Sequence, residues 1–599
     1  MGMKRFFLWE VSFECGNKVG GIWTVITSKA AEVAKKFNAD YTAIGFFNPE
    51  KSEIIEEVPP KWLLKVLRNM KKNHSLQFRY GKWVDANDVN LLLVDAREFQ
   101  QKNINDIKAK MWEWYGIDSM NAGHDYDEPL AWSYAVGLLL EEIAKYTVGI
   151  DVVQCHEWLA GGTLLYLRHQ NAHLPLVFTT HATVLGRAIG GATPGDNPEV
   201  LAAQHNVKAK HMLECAAARV ADAFTTVSEL TGEEATSILD KAPDVITRNA
   251  MDGQSLPPLS EMLKLKVQAR EKIDEFVKAY FLPYYPLDLG DYPILYTAGR
   301  YEFQNKGYDL LIDALGKVNH SLKSQQSDKW LLALLLVPAG TLGIKEEVIQ
   351  NFMSYSRMKD SLKEEWEGLS DTIYGAGDNQ QILKEKMDSL LHSSKEFVSK
   401  LSRFKGKTPP LCAFRLAIPE EEDPILQKLK QNGLLNRQED RVKVVFYPVF
   451  ITRRDELIGM KFKEIITAAS LGGFLSRYEP WGYTPMEAAA HVSVALTTEH
   501  AGFGRSVATL GDQVKGISVL KNEDLVNQTA RTIETFSKMD KDERLTYETS
   551  AYKIICDNYL WKDAIKSYFR AYDIALKRMA RRVGSDSSSE SASSLPVQA

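Results

Sequence analysis

The pattern that most constrains this chain is a short apolar run followed by a helical stretch, repeated through one series and then through a second. In the first series residues 151–155 lead into His156-Glu157-Trp158, and residues 175–178 into Thr179-Thr180-His181-Ala182-Thr183. Residues 223–227 then lead into Ser228, and residues 245–247 into Arg248-Asn249-Ala250. Runs that are apolar at nearly every position belong to strands covered on both faces, and the helices between them are the crossovers of a parallel sheet. Residues 6–11 read as an earlier strand. A second series starts at residues 293–298 and resumes at 331–338, 443–446, 473–475, 492–496 and 516–519. The expected class is α/β, with two doubly wound, Rossmann-like lobes.

At 599 residues the chain has room for roughly two to four domains of ~150 residues each. The first lobe is expected over 1–255, with a connection over 256–290, where the sequence turns charged and then rich in Pro and Tyr. The second lobe is expected over 291–555, a terminal helix over 556–584, and a disordered Ser-rich tail over 585–599. Within the second lobe the sheet pattern lapses. Met358, Leu362, Trp366, Leu369 and Ile373, then Leu383, Met387, Leu390, Phe397, Leu401 and Phe404, recur at spacings that mark amphipathic helices. This reads as a helical-hairpin insertion over about 345–435, expected to form a subunit interface. A net charge of −5 gives no nucleic-acid footprint. The five cysteines are scattered and lack CxxC spacing, so neither a zinc site nor a disulfide framework is expected. No apolar window approaches the ~18 residues of a membrane span, and the start lacks a signal-peptide pattern. A cytoplasmic protein is expected.

In parallel sheets ligands bind outside the carboxyl ends of the strands. His156, Glu157, His181, Ser228 and Asn249 fall at such ends, with Arg187 six residues beyond His181. Gly20-Gly21, after the first strand, lets backbone approach a ligand or lets a helix pack closely, and Lys18 beside it favours an anionic ligand. Arg300 and Lys306 bracket one strand-end loop. Arg clamps phosphate oxygens bidentately and Lys supplies a point charge, which suits a diphosphate. The stretch Tyr478-Glu479-Pro480-Trp481-Gly482-Tyr483-Thr484-Pro485-Met486-Glu487 joins a strand to a helix start, with a carboxylate on either side of the turn. Free amides at a helix N-terminus favour an anion, and flanking carboxylates can accept hydrogen bonds from sugar or ribose hydroxyls.

Taken in order, these segments resemble the glycogen synthases of glycosyltransferase family 3, the animal and fungal type. The match runs from Asn17-Lys18-Val19-Gly20-Gly21-Ile22 and His156-Glu157-Trp158 through His181-Ala182-Thr183 with Arg187. It continues with Phe224-Thr225-Thr226-Val227-Ser228, Gly299-Arg300-Tyr301-Glu302 with Asn305-Lys306-Gly307, the stretch from Glu479 to Glu487, and Gly502-Phe503-Gly504. The resemblance implies a GT-B fold, two such lobes facing across a cleft. It also implies retaining transfer of glucose from UDP-glucose to the 4-hydroxyl at the non-reducing end of an α-1,4-glucan. By position, Arg300 and Lys306 would stabilise the departing diphosphate, Glu479 would meet the donor glucose and Glu487 the ribose. His181 and Arg187 would face the donor from the opposite lobe, and Phe462 would stack on uracil. Lys18, Gly20, Gly21, Asn249, Tyr483 and Thr484 would complete the donor contacts, while His156 and Glu157 would line the acceptor side. The resemblance implies no metal or prosthetic group, a glycogen acceptor, and a homo-oligomer, with a tetramer built through the insertion.

Several positions depart from the family pattern. Lys18 stands where Arg is usual, Asn249 lies in Arg-Asn-Ala-Met-Asp rather than Pro-Asn-Gly-Leu-Asn, and Ser470 replaces a His. The arginine-dense helix that binds glucose 6-phosphate in the eukaryotic enzymes corresponds to residues 536–545, which carry a single Arg. Weak or absent activation by that sugar phosphate is expected. The same residues also accommodate a transferase using ADP-glucose or a smaller acceptor. A non-catalytic glucan-binding scaffold is the alternative from outside enzymes.

Overall fold

The apolar runs form two sheets in the computed structural model, which describes residues 5–191, 197–376, 406–455, 457–511 and 514–584 and scattered positions from 381 to 392. In the first lobe the strands are β1 (Phe6–Val11), β2 (Tyr41–Phe46), β3 (Ile55–Glu56), β4 (Gln77–Trp83), β5 (Val89–Asp95), β6 (Ile150–His156), β7 (Leu176–Thr180), β8 (Ala223–Thr226) and β9 (Val245–Ile246). They lie in the order β3-β4-β5-β2-β1-β6-β7-β8-β9, and every pairing is parallel except those that the reversed strand β4 makes with β3 and β5 at one edge. The chain builds outward from β1 on one side and then returns to its other side with β6. That reversal leaves a crevice above the carboxyl ends of β1 and β6.

The second lobe contains β10 (Ile294–Ala298), β11 (Leu331–Leu336), β12 (Thr341–Ile344), β13 (Phe414–Leu416), β14 (Val442–Phe446), β15 (Leu471–Gly473), β16 (Val494–Thr498) and β17 (Ile517–Leu520). Its sheet is wholly parallel, in the order β14-β11-β10-β15-β16-β17, so it reverses between β10 and β15. The two lobes make a GT-B fold. Every strand of the first sheet from β6 to β8 is buried along almost its whole length, as the unbroken apolar runs require.

Residues 256–290 are not a plain connection. Leu259–Phe281 is a helix whose Met262, Ala269, Ile273, Phe276, Val277, Tyr280 and Phe281 are buried, most of them in the core of the second lobe. Its charged residues occupy the other positions of an amphipathic helix, which read as linker composition when counted without their period. The insertion also closes earlier than expected. The antiparallel pair β12–β13 forms its neck, and Pro424–Gln431 buries Ile425, Leu426 and Leu429 in the second core. The first predicted helical stretch lies on Glu346–Ala376, where Trp366 is exposed. Much of the second stretch, and the tail from 585, lie outside the described residues.

Trp561–Arg582 runs back to the first lobe and packs Trp561, Ile565, Tyr568 and Tyr572 against Leu8, Ile26 and Tyr41. Met251 and Leu560 run side by side where the chain crosses between lobes, with Trp561 N–H donating to Met251 O at 3.0 Å. Trp561 is 1% exposed and its indole N–H donates to Ser28 Oγ at 2.8 Å. Trp561→Ala is therefore expected to cost about 3–5 kcal/mol, and Trp561→Phe less, as a shift of the urea midpoint.

Candidate functional site

On the second lobe the site is built around the reversal between β10 and β15. β10 is followed by Gly299-Arg300, and the loop beyond returns Lys306 and Gly307 to the helix Tyr308–Ser324. Gly307 has φ +67°, and a Cβ there would collide with the Leu475 carbonyl, so glycine is required where the two strand ends meet. From β15 the chain reaches Glu479, whose N–H donates to His500 O at 3.0 Å and whose carbonyl accepts from Gly502 N at 3.0 Å. Phe503 N–H donates to Trp481 O at 2.7 Å. The turn is thus stitched to the strand end after β16, which explains why Gly502-Phe503-Gly504 travels with it. Gly482, at φ +101°, opens the helix Tyr483–Ala490.

Lys306 and Glu479 form an ion pair, with side chains only 18% and 23% exposed. Arg300 lies alongside, paired with Glu302 at 2.8 Å but largely solvent-exposed. Arg300, Pro338, Phe450, Phe462 and Thr484 line a mostly apolar recess of about 770 Å³. Such a recess has the dimensions and chemistry of a small-molecule site. Burial pushes the Glu487 carboxyl up to about 7, with Lys463 opposing it.

The facing wall comes from the crevice above β1 and β6. His156 Nδ1 lies 2.9 Å from His181 Nε2, and His156 Nε2 lies 2.7 Å from Glu10 Oε1. Glu157, at φ +64°, turns its carboxylate to accept the backbone N–H groups of His181 at 3.0 Å and Ala182 at 3.2 Å. Burial raises the Glu157 pKa, against the pull of Arg187 and of these two hydrogen bonds. Arg187 lies 3.9 Å from Glu157 and within the field of Glu479 across the cleft. Glu14, Glu157, Trp158, Arg187 and Lys210 line a second recess of about 410 Å³.

The lobes touch at the turn itself. Ser228 Oγ donates to Pro480 O at 2.6 Å, Arg505 pairs with Glu233 at 2.6 Å, and the Tyr478 ring packs so closely on Gly191 that no side chain fits there. The structure therefore brings His181, Glu157 and Arg187 to one wall and Arg300, Lys306, Glu479, Phe462 and Thr484 to the other, with Glu487 three residues beyond Thr484 on the helix Tyr483–Ala490.

Several expected contacts fall elsewhere. The His156 ring is wholly buried behind His181, so it supports the wall instead of lining an acceptor path. Gly20 N–H is taken by Glu14 Oε2 at 3.1 Å, as is Trp23 N–H at 2.8 Å, so a carboxylate of the chain already fills the glycine turn. Lys18 is exposed and lies over the Trp23 ring, while the space beside Gly21 stays open. Asn249 lines a separate recess with Arg248, Ser506, Tyr559 and Arg570. The Tyr483 ring packs into both lobes' cores. Ser470 precedes β15, at the opposite end of the strand from Glu479, and hydrogen-bonds Glu548, so its difference from His leaves the cleft untouched. Glu10, Glu14 and Lys29 were not anticipated. An acid inside an otherwise apolar strand was the available signal for Glu10. Among the described residues no three His, Cys, Asp or Glu side chains are grouped so as to hold a metal ion, and no helix is long and apolar enough to cross a membrane.

Residues 10–594 match the glycogen synthase family. Glycogen [starch] synthase isoform 1 of Saccharomyces cerevisiae is 30% identical, over 96% of this chain and 86% of that protein. The liver glycogen [starch] synthase of Rattus norvegicus is 28% identical, over 96% and 84%. Among solved structures, an α,α-trehalose-phosphate synthase (UDP-forming) from Burkholderia vietnamiensis superposes with a TM-score of 0.49 at 11% identity, covering 94% of this chain and 100% of that one. With a family match over nearly its whole length, and with the strand-end residues of both lobes gathered at one cleft, the chain belongs to the glycogen synthase family.

Proposed function

We propose that this chain lengthens an α-1,4-glucan by moving glucose from UDP-glucose to the 4-hydroxyl at the non-reducing end, with retention of configuration. The observation that carries this reading is the Lys306–Glu479 pair, whose lysine shares a strand-end loop with Arg300, which itself lines an apolar recess. When the sugar–phosphate bond breaks, negative charge grows on the leaving diphosphate, and fixed cations stabilise it more in the transition state than in the ground state. Arg300 and Lys306 take that role, so the reading needs no metal or prosthetic group. Glu479 orients Lys306 and meets the donor glucose. Phe462 stacks on uracil, Glu487 accepts from the ribose, and backbone amides at Tyr483 and Thr484 hold phosphate. His181 and Arg187 meet the donor from the first lobe, and Glu157 borders the acceptor. The leaving phosphate itself can take the acceptor's proton.

The protein is read as cytoplasmic. It is also read as a homo-oligomer, a reading supported by the exposed Met353 and Trp366 on the helix Glu346–Ala376. Insensitivity to glucose 6-phosphate is supported by Arg544, the single arginine of residues 536–545. It is buried and already bonded to Asp291 and to Met539 O. A site for a sugar phosphate needs several free donors converging on one anion.

Glucan elongation assayed with UDP-glucose, with ADP-glucose as competitor, and with or without glucose 6-phosphate tests donor, reaction and regulation together. The expected outcome is elongation from UDP-glucose at a rate that glucose 6-phosphate leaves unchanged. A several-fold activation would contradict the regulatory reading, and preference for ADP-glucose would contradict the donor. Lys306→Ala and Glu479→Ala are each expected to lower kcat by about 10²–10³ with the fold intact by circular dichroism.

The Glu487 carboxyl, at about 7, predicts a pH effect on donor binding. Only its ionised form accepts hydrogen bonds from both ribose hydroxyls, and that form is lost as pH falls through about 7. Donor KM should therefore rise below that pH, by up to about tenfold per unit. In Glu487→Gln, donor KM should be high and flat over the same range, as read from initial rates.

A further inference from the structure

The wall that carries His181 is backed by a line of side chains reaching deep into the first lobe. Lys29 Nζ lies 2.5 Å from Glu10 Oε1, and Tyr41 donates its hydroxyl hydrogen to Glu10 Oε2 at 2.5 Å. His156 bridges the same Oε1, at 2.7 Å, to His181 Nε2, at 2.9 Å. The side chains of Glu10, Lys29 and His156 have no solvent exposure, and His181 is 7% exposed. At the far end Lys29 Nζ sits 4.3 Å from the centre of the Tyr568 ring.

Counting donors and acceptors along this line fixes where the hydrogens are. Burial alone would raise the Glu10 carboxyl, but Lys29 and His156 outweigh it and hold it at about 2. A carboxylate only accepts, so His156 Nε2 carries a hydrogen. Burial lowers the pKa of His156, and Glu10 only partly opposes this. The ring is neutral and its Nδ1 is a lone pair. The hydrogen shared between the two rings therefore belongs to His181 Nε2. Burial lowers the pKa of His181 as well, reinforced by His156, Lys29 and Arg187 against Glu10. Cys15, Tyr41, Tyr568 and Tyr572 are the other titratable groups around Glu10. A neutral His181 protonated at Nε2 leaves Nδ1 bare, and among the described residues nothing donates to it.

We propose that Glu10 and His156 are positioning residues that fix His181 in its Nε2–H tautomer, so that Nδ1 offers an acceptor to a hydroxyl of the transferred sugar. The opposite tautomer would present a donor at the same point and would compete with the hydroxyl hydrogen. The choice of ligand rests on the donor-sugar reading of His181 given above, whereas the tautomer does not.

The test is the ring-nitrogen NMR spectrum of the full chain labelled with 15N-histidine, with His181 assigned by the signals lost in His181→Gln. The expected result is a neutral His181, protonated at Nε2 and bare at Nδ1, from about pH 6 to about pH 8 without substrate. A hydrogen on Nδ1, or a cationic ring, overturns the proposal. Glu10→Gln puts an amide donor within reach of His156 and should shift His181 toward the other tautomer. Its kcat should fall roughly tenfold, the scale of one hydrogen bond, with donor KM nearly unchanged. Glu10→Asp should restore both tautomer and part of the rate. Parental kcat in Glu10→Gln also overturns the proposal. If the lone Lys29 charge unfolds Glu10→Gln, the double variant Glu10→Gln/Lys29→Met carries the same comparison. The spectrum needs no substrate, so a protein that transferred no glucose would leave the tautomer result standing.

Discussion

Parallel strands must all point the same way, and that constraint organises this molecule. Each strand is returned through a helix, so every carboxyl end gathers along one edge of its sheet. Where the strand order reverses, neighbouring helices lie on opposite faces and the edge splits open. Both sheets reverse once in their parallel portions, the first between β1 and β6 and the second between β10 and β15. The two openings carry the cleft residues of their lobes. His181 stands beside the first, just past β7, Arg300 and Glu479 flank the second, and the turn at Pro480 touches Ser228 on the opposite lobe.

Against this geometry the buried charges of the first lobe stand out. Moving Glu10 and Lys29 out of water together costs several kcal/mol per ion, which attraction repays only with further hydrogen bonds. Those bonds are present, from Tyr41 and His156. An apolar pair of the same volume could have filled the space at no penalty, but it would have left the His156 hydrogen undirected. The cost is understandable if direction is what the pair supplies.

The sequence carried the lobes and most of the cleft because both are written in local patterns. Continuous apolar runs mark strands buried on both faces, and the residue just past each run sits at a cleft edge by construction. That is why the local pattern alone marks Arg300, Lys306, His181 and Glu479. What escaped was non-local. Glu14 fills the glycine turn through a bend of the chain, and no spacing announces it. Asn249 sits at a strand end like the others, but its strand lies at the sheet's outer edge, away from the reversal. His156 and His181 look alike in sequence, and only pairing across β6 and β7 puts one behind the other. The helix Leu259–Phe281 has the composition of a linker, and only the 3.6-residue period of its apolar positions marks it as part of the core.

The terminal helix has a consequence for how this protein comes into being. Trp561, Ile565, Tyr568 and Tyr572 belong to the core of the lobe made first, yet they leave the ribosome only after the whole second lobe. Between β9 and Trp561 the ribosome must add the whole second lobe, roughly half a minute of synthesis at about 10 residues per second. During that interval β7, β8 and β9 lack the terminal helix that packs against them, while the helix Gly21–Phe37 already belongs to the same core. The first lobe therefore completes its core only after the second lobe has been made.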